Sequence, residues 1–236
     1  MKRIIILTFL ALCFGKVLAD NYNVQSPDNY NLAINEEKTL FILDFSNSMN
    51  EYLFKERKVD TMLETMRNIL PKINPQKIVG MRAYGYKMGF TPIDACKASK
   101  LMVPMVRGGS TLIEKSIEKT KAVGMTPITY SLKLALDNDF AGFYGQKHII
   151  LLTDGGENCG ESPCTFMMKR LKGEPNLKID VIAYDIRNPD DISQLECVAY
   201  VTKGQFYNVE TAAELAKGLN NSLDIKKEVE AKIIPH

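Results

Sequence analysis

The sequence contains very little histidine, and this limits the catalytic chemistry open to the chain. Its 236 residues include two histidines, His148 and His236. His236 is the last residue and His148 begins an apolar run, so neither is placed to serve a Ser-His-Asp hydrolase. The sequence also lacks a G-x-x-x-x-G-K-[ST] nucleotide loop and a G-x-G-x-x-G dinucleotide motif. We therefore expect a protein that is not an enzyme.

The sequence has no apolar run suited to a membrane-spanning helix in the mature chain. The stretch from Ile4 to Phe14 is too short to span a bilayer. Two basic residues precede it, and a small-residue cleavage signal ends at Ala19. These features predict a signal peptide over residues 1–19, a mature chain beginning at Asp20, and export to a periplasm or to the outside.

An excess of positive charge is also missing once the signal peptide is removed. The full chain has 30 basic and 28 acidic residues, and residues 1–19 carry three of the basic ones and none of the acidic ones. The mature chain then has 27 basic and 28 acidic residues, a net charge of −1. No basic cluster of the kind that follows a phosphate backbone is present, so we expect no nucleic-acid partner.

Cysteine is scarce but even in number in the mature chain. Cys13 leaves with the signal peptide, and Cys96, Cys159, Cys164 and Cys197 remain. An even number in an exported protein predicts two disulfides. Four reduced, buried thiols are an alternative. A zinc site is a further one, although the spacing is loose for zinc.

Strand and helix signals alternate along the rest of the chain. This alternation predicts one α/β domain over residues 38–223, with a mostly parallel sheet and helices on both faces. A polar lead-in at 20–37 precedes it, and a charged extension or tail follows at 224–236. The six predicted strands are 40–44, 78–84, 101–105, 148–153, 179–184 and 205–209. Pro104 confines the third strand to an edge, and its short connection to the second predicts an antiparallel pair.

Two acidic residues come directly after buried strands, and hydroxyl side chains accompany them. Asp44 follows the first strand and is joined by Ser46 and Ser48, while Asp154 follows the fourth. Thr126 begins an amphipathic stretch between them. Ligands of open α/β sheets bind where the carboxyl ends of strands meet loops. An all-oxygen set there, without histidine or thiolate, suits a hard cation such as Mg²⁺.

Each of these fragments also has an ordinary structural interpretation. Ser48 and Glu51 have the spacing of a helix capping box, and Thr126 followed by proline fits a helix N-cap. Asp154 followed by glycine is a common turn. Thr111, after Gly108-Gly109-Ser110, is a rival to Thr126, but the helix that follows Thr126 fits better.

The three fragments together resemble the von Willebrand factor type A domain. They are D-x-S-x-S from Asp44, T-P-x-x-x-x-L from Thr126, and T-D-G around Asp154, and the resemblance covers roughly residues 38–223. It implies a metal-ion-dependent adhesion site, or MIDAS. Ser46, Ser48 and Thr126 would then ligate the cation through their hydroxyls, while Asp44 and Asp154 act partly through bound water. It also implies the strand order 3-2-1-4-5-6 in a six-stranded doubly wound sheet.

The resemblance further implies a non-catalytic module that binds proteins. Hydroxyl ligands leave the cation much of its charge and an open position, which an Asp or Glu carboxylate of a protein partner can fill. Mg²⁺ is the expected ion, with Mn²⁺ or Ca²⁺ as alternatives. Two other functions stay open: a structural or assembly component whose metal only holds the loops, and a metal-dependent hydrolase.

The strand order implied by the resemblance also selects a disulfide pairing. Cys96 follows the second strand at the same end of the sheet as the loop that holds Cys159. Cys164 and Cys197 lie near the starts of successive crossover helices, which should be neighbours on one face. A Cys96–Cys197 bond would have to span about 15–20 Å, whereas a disulfide tolerates about 7 Å between Cα atoms. We therefore predict Cys96–Cys159 and Cys164–Cys197.

Overall fold

The computed structural model describes residues 36–225, and its centre is a six-stranded sheet. The predicted signal peptide, nearly all of the lead-in and nearly all of the tail lie outside these residues. The strands are β1 (Glu37–Asp44), β2 (Tyr52–Leu53), β3 (Glu56–Arg57), β4 (Ile78–Tyr84), β5 (Ser99–Arg107), β6 (Gln146–Thr153), β7 (Leu177–Tyr184) and β8 (Phe206–Val209).

Seven α-helices connect these strands in the described part of the chain. They are α1 (Lys58–Ile69), α2 (Pro92–Ala95), α3 (Gly109–Ile117), α4 (Ile128–Leu134), α5 (Pro163–Arg170), α6 (Pro189–Val201) and α7 (Ala212–Ser222). Short 3-10 turns lie at Asn47–Asn50, Leu70–Lys72 and Leu171–Gly173, and a π turn at Ala135–Asp139 continues α4. No helix within residues 36–225 is long and apolar enough to cross a membrane.

The sheet order is β5-β4-β1-β6-β7-β8, which confirms the predicted fold class. All neighbouring strands are parallel except β4 and β5, which are antiparallel. Pro104 lies in edge strand β5, where the register slips between the pairs Val79↔Val106 and Met81↔Val103. Proline has no N–H to donate to a ladder, so an irregular edge strand is where it fits.

Helices cover both faces of the sheet because the central strands are apolar on both sides. Along β1, Phe41 and Leu43 pack with α1, α3 and α7, while Leu40 and Ile42 pack with α4, α5 and α6. All four side chains are fully buried. A strand buried on both faces reads as a continuous apolar run, which is why this strand was predictable.

The structure differs from the sequence prediction in several short elements. The amphipathic stretch that begins at Thr126 in the sequence enters its helix only at Ile128. α1 ends at Ile69, two residues before Pro71, which lies inside the following 3-10 turn. The β2–β3 hairpin and α2 were not predicted, because neither has an apolar period long enough to mark it.

Two disulfides connect the expected cysteines. The Cα atoms of Cys96 and Cys159 are 5.3 Å apart, and those of Cys164 and Cys197 are 5.5 Å apart. One premise of the pairing was wrong, because Cys197 lies in the second half of α6 and not near its start. The pair still forms because α5 and α6 pack directly against each other on one face of the sheet.

Candidate metal centre

Four of the five predicted site residues form one hydrogen-bonded chain at the carboxyl ends of β1 and β6. The Ser46 N–H donates to Asp44 Oδ1 at 2.7 Å, and the Ser46 and Ser48 hydroxyls are 2.9 Å apart. Ser48 Oγ donates to Asp154 Oδ1 at 2.7 Å. β1 and β6 are direct neighbours in the sheet, so the residues that follow them meet at one edge.

Thr126 comes to the same edge through the loop that precedes α4. Gly124 pairs with Ser46 in an isolated parallel bridge, and the Asn47 N–H donates to the Gly124 carbonyl at 2.9 Å. Thr126 itself is buried, with 3% of its surface exposed. The bridge places Gly124 beside Ser46, and Thr126 follows Gly124 two residues later at the same edge of the sheet.

Two of the ordinary interpretations of these fragments are wrong, and the rival threonine lies elsewhere in the fold. Ser48 lies inside a 3-10 turn and does not cap a helix, since its hydroxyl bonds to Asp154. The residue before α4 is Pro127, which leaves Thr126 one position further out with its hydroxyl free of a capping role. Thr111 lies in the first turn of α3, which follows antiparallel β5 and so begins at the opposite edge of the sheet.

Asp44 is held rigidly beneath the site. It is fully buried, and burial raises the pKa of its carboxyl despite hydrogen bonds from Ser46 and Thr153 that act in the other direction. Thr153 Oγ1 lies 2.8 Å from Asp44 Oδ2 and also 2.8 Å from the Gly155 carbonyl, so its one proton is shared between them. The carboxylate therefore has little freedom to turn away.

The surroundings of Asp154 disfavour the ionised form of its carboxyl group. Burial, and then the charge of Asp44, raise the pKa of Asp154 to about 6, while Ser48 and Lys58 oppose the rise. Two buried carboxylates that both resist ionisation in this way form a site that a bound cation would relieve.

Sequence reasoning missed Lys58, which reaches the site from the side. Its side chain is 5% exposed, and its ammonium lies 3.2 Å from Asp154 Oδ2, 3.2 Å from Glu51 Oε2 and 3.5 Å from Asp185 Oδ2. The helical period was the available signal, because Lys58 precedes Met62 by one turn on the buried stripe of α1.

Sequence reasoning also missed the hydrogen bonds that the loop after β6 makes around the site. Asn158 Oδ1 accepts the Thr126 N–H at 2.8 Å, so this side chain holds the third hydroxyl in place. Glu157 accepts the N–H groups of Thr129 and Cys159, each at 2.7 Å. The loop and the start of α4 are thus tied together around the site.

The donor set fits a hard divalent cation. Its atoms are hydroxyl and carboxylate oxygens, the ligands that Mg²⁺ and Mn²⁺ accept. Across residues 36–225 no three His, Cys, Asp or Glu side chains group as a metal site, so a cation here would depend on the hydroxyls of Ser46, Ser48 and Thr126. His148 is remote from it, because it bonds to Asp180 at 2.9 Å near the start of β6.

No protein family model matches this chain. Two uncharacterized proteins of Bacillus subtilis (strain 168) are similar to it along nearly their whole length. YwmD is 20% identical over 222 residues, covering 91% of this chain and 94% of its own. YwmC is 23% identical over 224 residues, covering 92% of this chain and 94% of its own.

Solved structures show the fold. A von Willebrand factor type A protein from Catenulispora acidiphila superposes with a TM-score of 0.63 at 16% identity, over 80% of this chain and 42% of that one. The von Willebrand domain of the type V pili tip protein Mfa5 from Porphyromonas gingivalis gives 0.62 at 13% identity, over 82% and 97%.

A third similar structure contains a metal. It is proximal thread matrix protein 1 from the mussel byssus with a zinc-occupied MIDAS motif, with a TM-score of 0.57 at 20% identity, over 81% of this chain and 48% of that one. This chain therefore spans less than half of the mussel and Catenulispora chains. At these identities the similarity shows the fold, which is that of the von Willebrand factor A domain.

Proposed function

We propose that this chain is an exported, non-catalytic binding module that holds one divalent cation and uses it to bind a carboxylate of a protein partner. The observation that carries the proposal is the chain of oxygen atoms from Ser46 through Ser48 to Asp154, beside buried Asp44. This arrangement gathers oxygen atoms at one edge of the sheet, and burial raises the pKa of both carboxyl groups, an effect that a bound cation would oppose.

The neutral and the charged residues of the site would have different roles in holding the cation. The neutral hydroxyls of Ser46, Ser48 and Thr126 would touch the cation, and Asp44 and Asp154 would hold its water ligands from behind. When bound, the cation supplies a positive charge with an open coordination position. An Asp or Glu carboxylate from a partner is the natural occupant, because Mg²⁺ prefers a full octahedron of oxygen ligands. Mg²⁺ is the proposed ion, with Mn²⁺, Ca²⁺ or Zn²⁺ as candidates to compare.

The similar structures and the disulfides support binding outside the cell. Mfa5 is a pilus tip protein and the mussel protein is a byssus matrix protein, so both act outside the cytoplasm. Disulfides persist in oxidising compartments, which agrees with export of this chain to a periplasm or to the outside.

Titration calorimetry with Mg²⁺ tests the site. We expect Asp44→Ala to abolish Mg²⁺ binding, because the water-holding carboxylate is lost, and Ser48→Ala to weaken it strongly while disturbing the fold less. Asp137→Ala removes an exposed aspartate from the π turn after α4 and should leave binding unchanged. Undiminished Mg²⁺ affinity in Asp44→Ala would sink the assignment.

Chelation separates the binding role from a purely structural one. If the cation mediates recognition, a chelator releases the partner while circular dichroism shows an unchanged fold. If the cation only holds the loops, partner binding survives. A metal-dependent hydrolysis of esters, phosphoesters or peptides that disappears in Ser46→Ala would instead establish an enzyme.

A further inference from the structure

An open groove of about 590 Å³ lies beside the candidate metal centre. Three segments form its walls: the loop that contains α2, the helix α4, and the loop after β6. Its apolar lining comes from Pro92, Ile93, Met125, Tyr130 and Phe166. Its size and mostly apolar lining are those of binding grooves, which usually measure about 300–1,000 Å³.

The groove adjoins Thr126, one of the three proposed hydroxyl ligands. Met125 lines it and is the residue before Thr126. Asn158 also lines it and accepts the Thr126 N–H at 2.8 Å. A bound segment could therefore place a carboxylate at the cation and a neighbouring side chain in the groove. An extended chain advances about 3.3–3.6 Å per residue, so three residues reach about 10 Å from the cation towards the groove.

The loop that contains α2 contributes Ile93 to the groove and carries further exposed apolar side chains before it. Ile93 is 67% exposed, and Met88 and Phe90 in the same loop are 75% and 104% exposed. Exposed large apolar side chains are unremarkable singly, but three within one loop beside an apolar groove mark an interaction surface.

The charge on the rim of the groove indicates an acidic occupant. Lys97 and Lys133 line the groove, are exposed, and form no salt bridge within residues 36–225. The two glutamates of the lining are already engaged, since Glu157 accepts backbone N–H groups and Glu161 pairs with Lys169 at 2.6 Å. The lysines are thus the charges left to meet a partner.

The groove is also preformed. The Cys96–Cys159 disulfide joins two of the segments that form it, and both cysteines line it. Glu157 ties the second loop to α4 through the Thr129 N–H. A groove whose walls are already fixed binds its partner at a smaller cost in conformational entropy.

We propose that this groove binds a segment of the protein partner in which an apolar residue lies within about three positions of the metal-bound carboxylate, with further acidic residues facing Lys97 and Lys133. This proposal rests on the proposed function, because the metal-bound carboxylate anchors the segment. It adds the chemistry of the partner: an acidic and apolar peptide segment instead of an isolated carboxylate.

A phage-displayed library of random peptides, bound to the full mature chain in Mg²⁺ and eluted with acid, supplies the probe. We expect the eluted peptides to combine an acidic residue with a nearby Leu, Ile or Phe. Calorimetry with one such peptide should show a loss of about tenfold for Ile93→Ser, from the lost apolar burial. Lys97→Glu and Lys133→Glu should each weaken binding severalfold.

Matched controls lie at the opposite edge of the sheet. Tyr144→Ser removes an exposed aromatic residue just before β6, and Lys172→Glu reverses an exposed lysine in the turn after α5. Both should bind the peptide as the unaltered chain does. All groove variants should keep the Mg²⁺ affinity of the unaltered chain, because none of them changes a proposed ligand.

The outcomes separate the two proposals. One outcome is peptide binding that needs Mg²⁺ and disappears in Ser46→Ala, yet is unaffected by Ile93→Ser and by the lysine reversals. That result would support the proposed function and overturn the assignment of the groove. Peptides that bind equally in chelator and in Ser46→Ala overturn the metal-mediated function. Failure to enrich any peptide, or a Mg²⁺-dependent dimer of the chain that Ile93→Ser dissociates in sedimentation, also overturns the peptide assignment.

Discussion

At the scale of single residues, the decisive arrangement is one buried ammonium among three carboxylates. Lys58 lies within 3.5 Å of Asp154, Asp185 and Glu51 and offsets part of their negative charge without a metal. A cation at the candidate centre would share Asp154 with it. Lys58 should therefore stabilise the metal-free fold and oppose metal binding.

Replacing Lys58 with methionine tests this balance. We expect Lys58→Met to lower the unfolding free energy of the metal-free chain by about 3 kcal/mol, because Asp154 loses its charged partner inside the protein. Mg²⁺ at about a hundred times its dissociation constant should restore about 2.7 kcal/mol. Urea unfolding with and without Mg²⁺ measures both effects.

The control for Lys58 is an exposed lysine that also forms a salt bridge. Lys169→Met breaks the pair with Glu161 and should cost less than about 1 kcal/mol. A Lys58→Met chain as stable as the unaltered one would show that this lysine has no part in the charge balance of the site. A Lys58→Met chain that Mg²⁺ does not stabilise would contradict the metal site itself.

Asp180 gives the fold a predicted dependence on pH at the other edge of the sheet. Burial alone would raise its pKa, but hydrogen bonds from His148 and the Gln205 N–H outweigh it, so the pKa lies below the ordinary value of 3.8. A lowered folded-state pKa stabilises the fold above the unfolded pKa, and this stabilisation is lost as the pH falls through the folded one.

We therefore expect stability to fall below about pH 4 partly through Asp180. Asp180→Asn should lower stability at pH 7 by about 1.5–3 kcal/mol, the usual worth of a hydrogen bond to a charged group, and flatten the acid limb. Urea unfolding across the range from pH 7 to 3 measures it. An unchanged acid limb in the variant would assign the acid sensitivity to other groups.

At the scale of elements, the strands that could be predicted from the sequence are those whose residues form a clear apolar pattern. β4 was predicted over its whole length because all of its residues are buried. β1 was predicted from Leu40 and begins at Glu37, since its first residues are polar and it is pairing with β4 and β6 that extends it. The β2–β3 hairpin could not be predicted, because it is short and turns at Phe54, an exposed aromatic residue with φ of 60° where glycine is usual.

The residues of the candidate site also fall into those that the sequence could predict and those that it could not. Asp44, Ser46, Ser48 and Asp154 could be brought together from the sequence, since each follows the end of a predicted strand. Lys58 and Asn158 could not, because they reach the site through the packing of α1 and of the loop after β6. Contacts of this kind depend on tertiary structure and leave no local pattern.

The two disulfides allow a comparison between elements. Replacing either pair with serines should lower the unfolding free energy by about 4 kcal/mol, the value expected from loop entropy. The two values should be similar because the entropy depends only on the logarithm of the length of the closed loop. Only the Cys96→Ser, Cys159→Ser double variant should also weaken Mg²⁺ binding, because Cys159 follows Asn158, which holds Thr126.

The second pair serves as the control for that experiment. Cys164 and Cys197 join α5 to α6 on one face of the sheet, away from the hydroxyls. Thermal unfolding and Mg²⁺ calorimetry on both double variants give the comparison. Equal Mg²⁺ affinities in the two variants would mean that the disulfide near Asn158 does not support the candidate centre.

At the scale of the whole molecule, the order of the strands lay beyond local pattern. Alternating strands and helices predict a parallel sheet with two covered faces, but several strand orders satisfy that pattern equally. The order was predicted through the resemblance to the von Willebrand factor A domain, and the structure confirms it. That order makes β1 and β6 neighbours, so the carboxylates that follow them meet.

The central claim is that this edge of the sheet holds one divalent cation through hydroxyl ligands. The most direct test is a crystal structure of the mature chain grown with Mn²⁺, with anomalous scattering recorded at the manganese edge. We expect one peak in contact with the Ser46, Ser48 and Thr126 hydroxyls, with Asp44 and Asp154 behind water ligands. A map without a peak there, or a manganese ion held at another place in the chain, would contradict it.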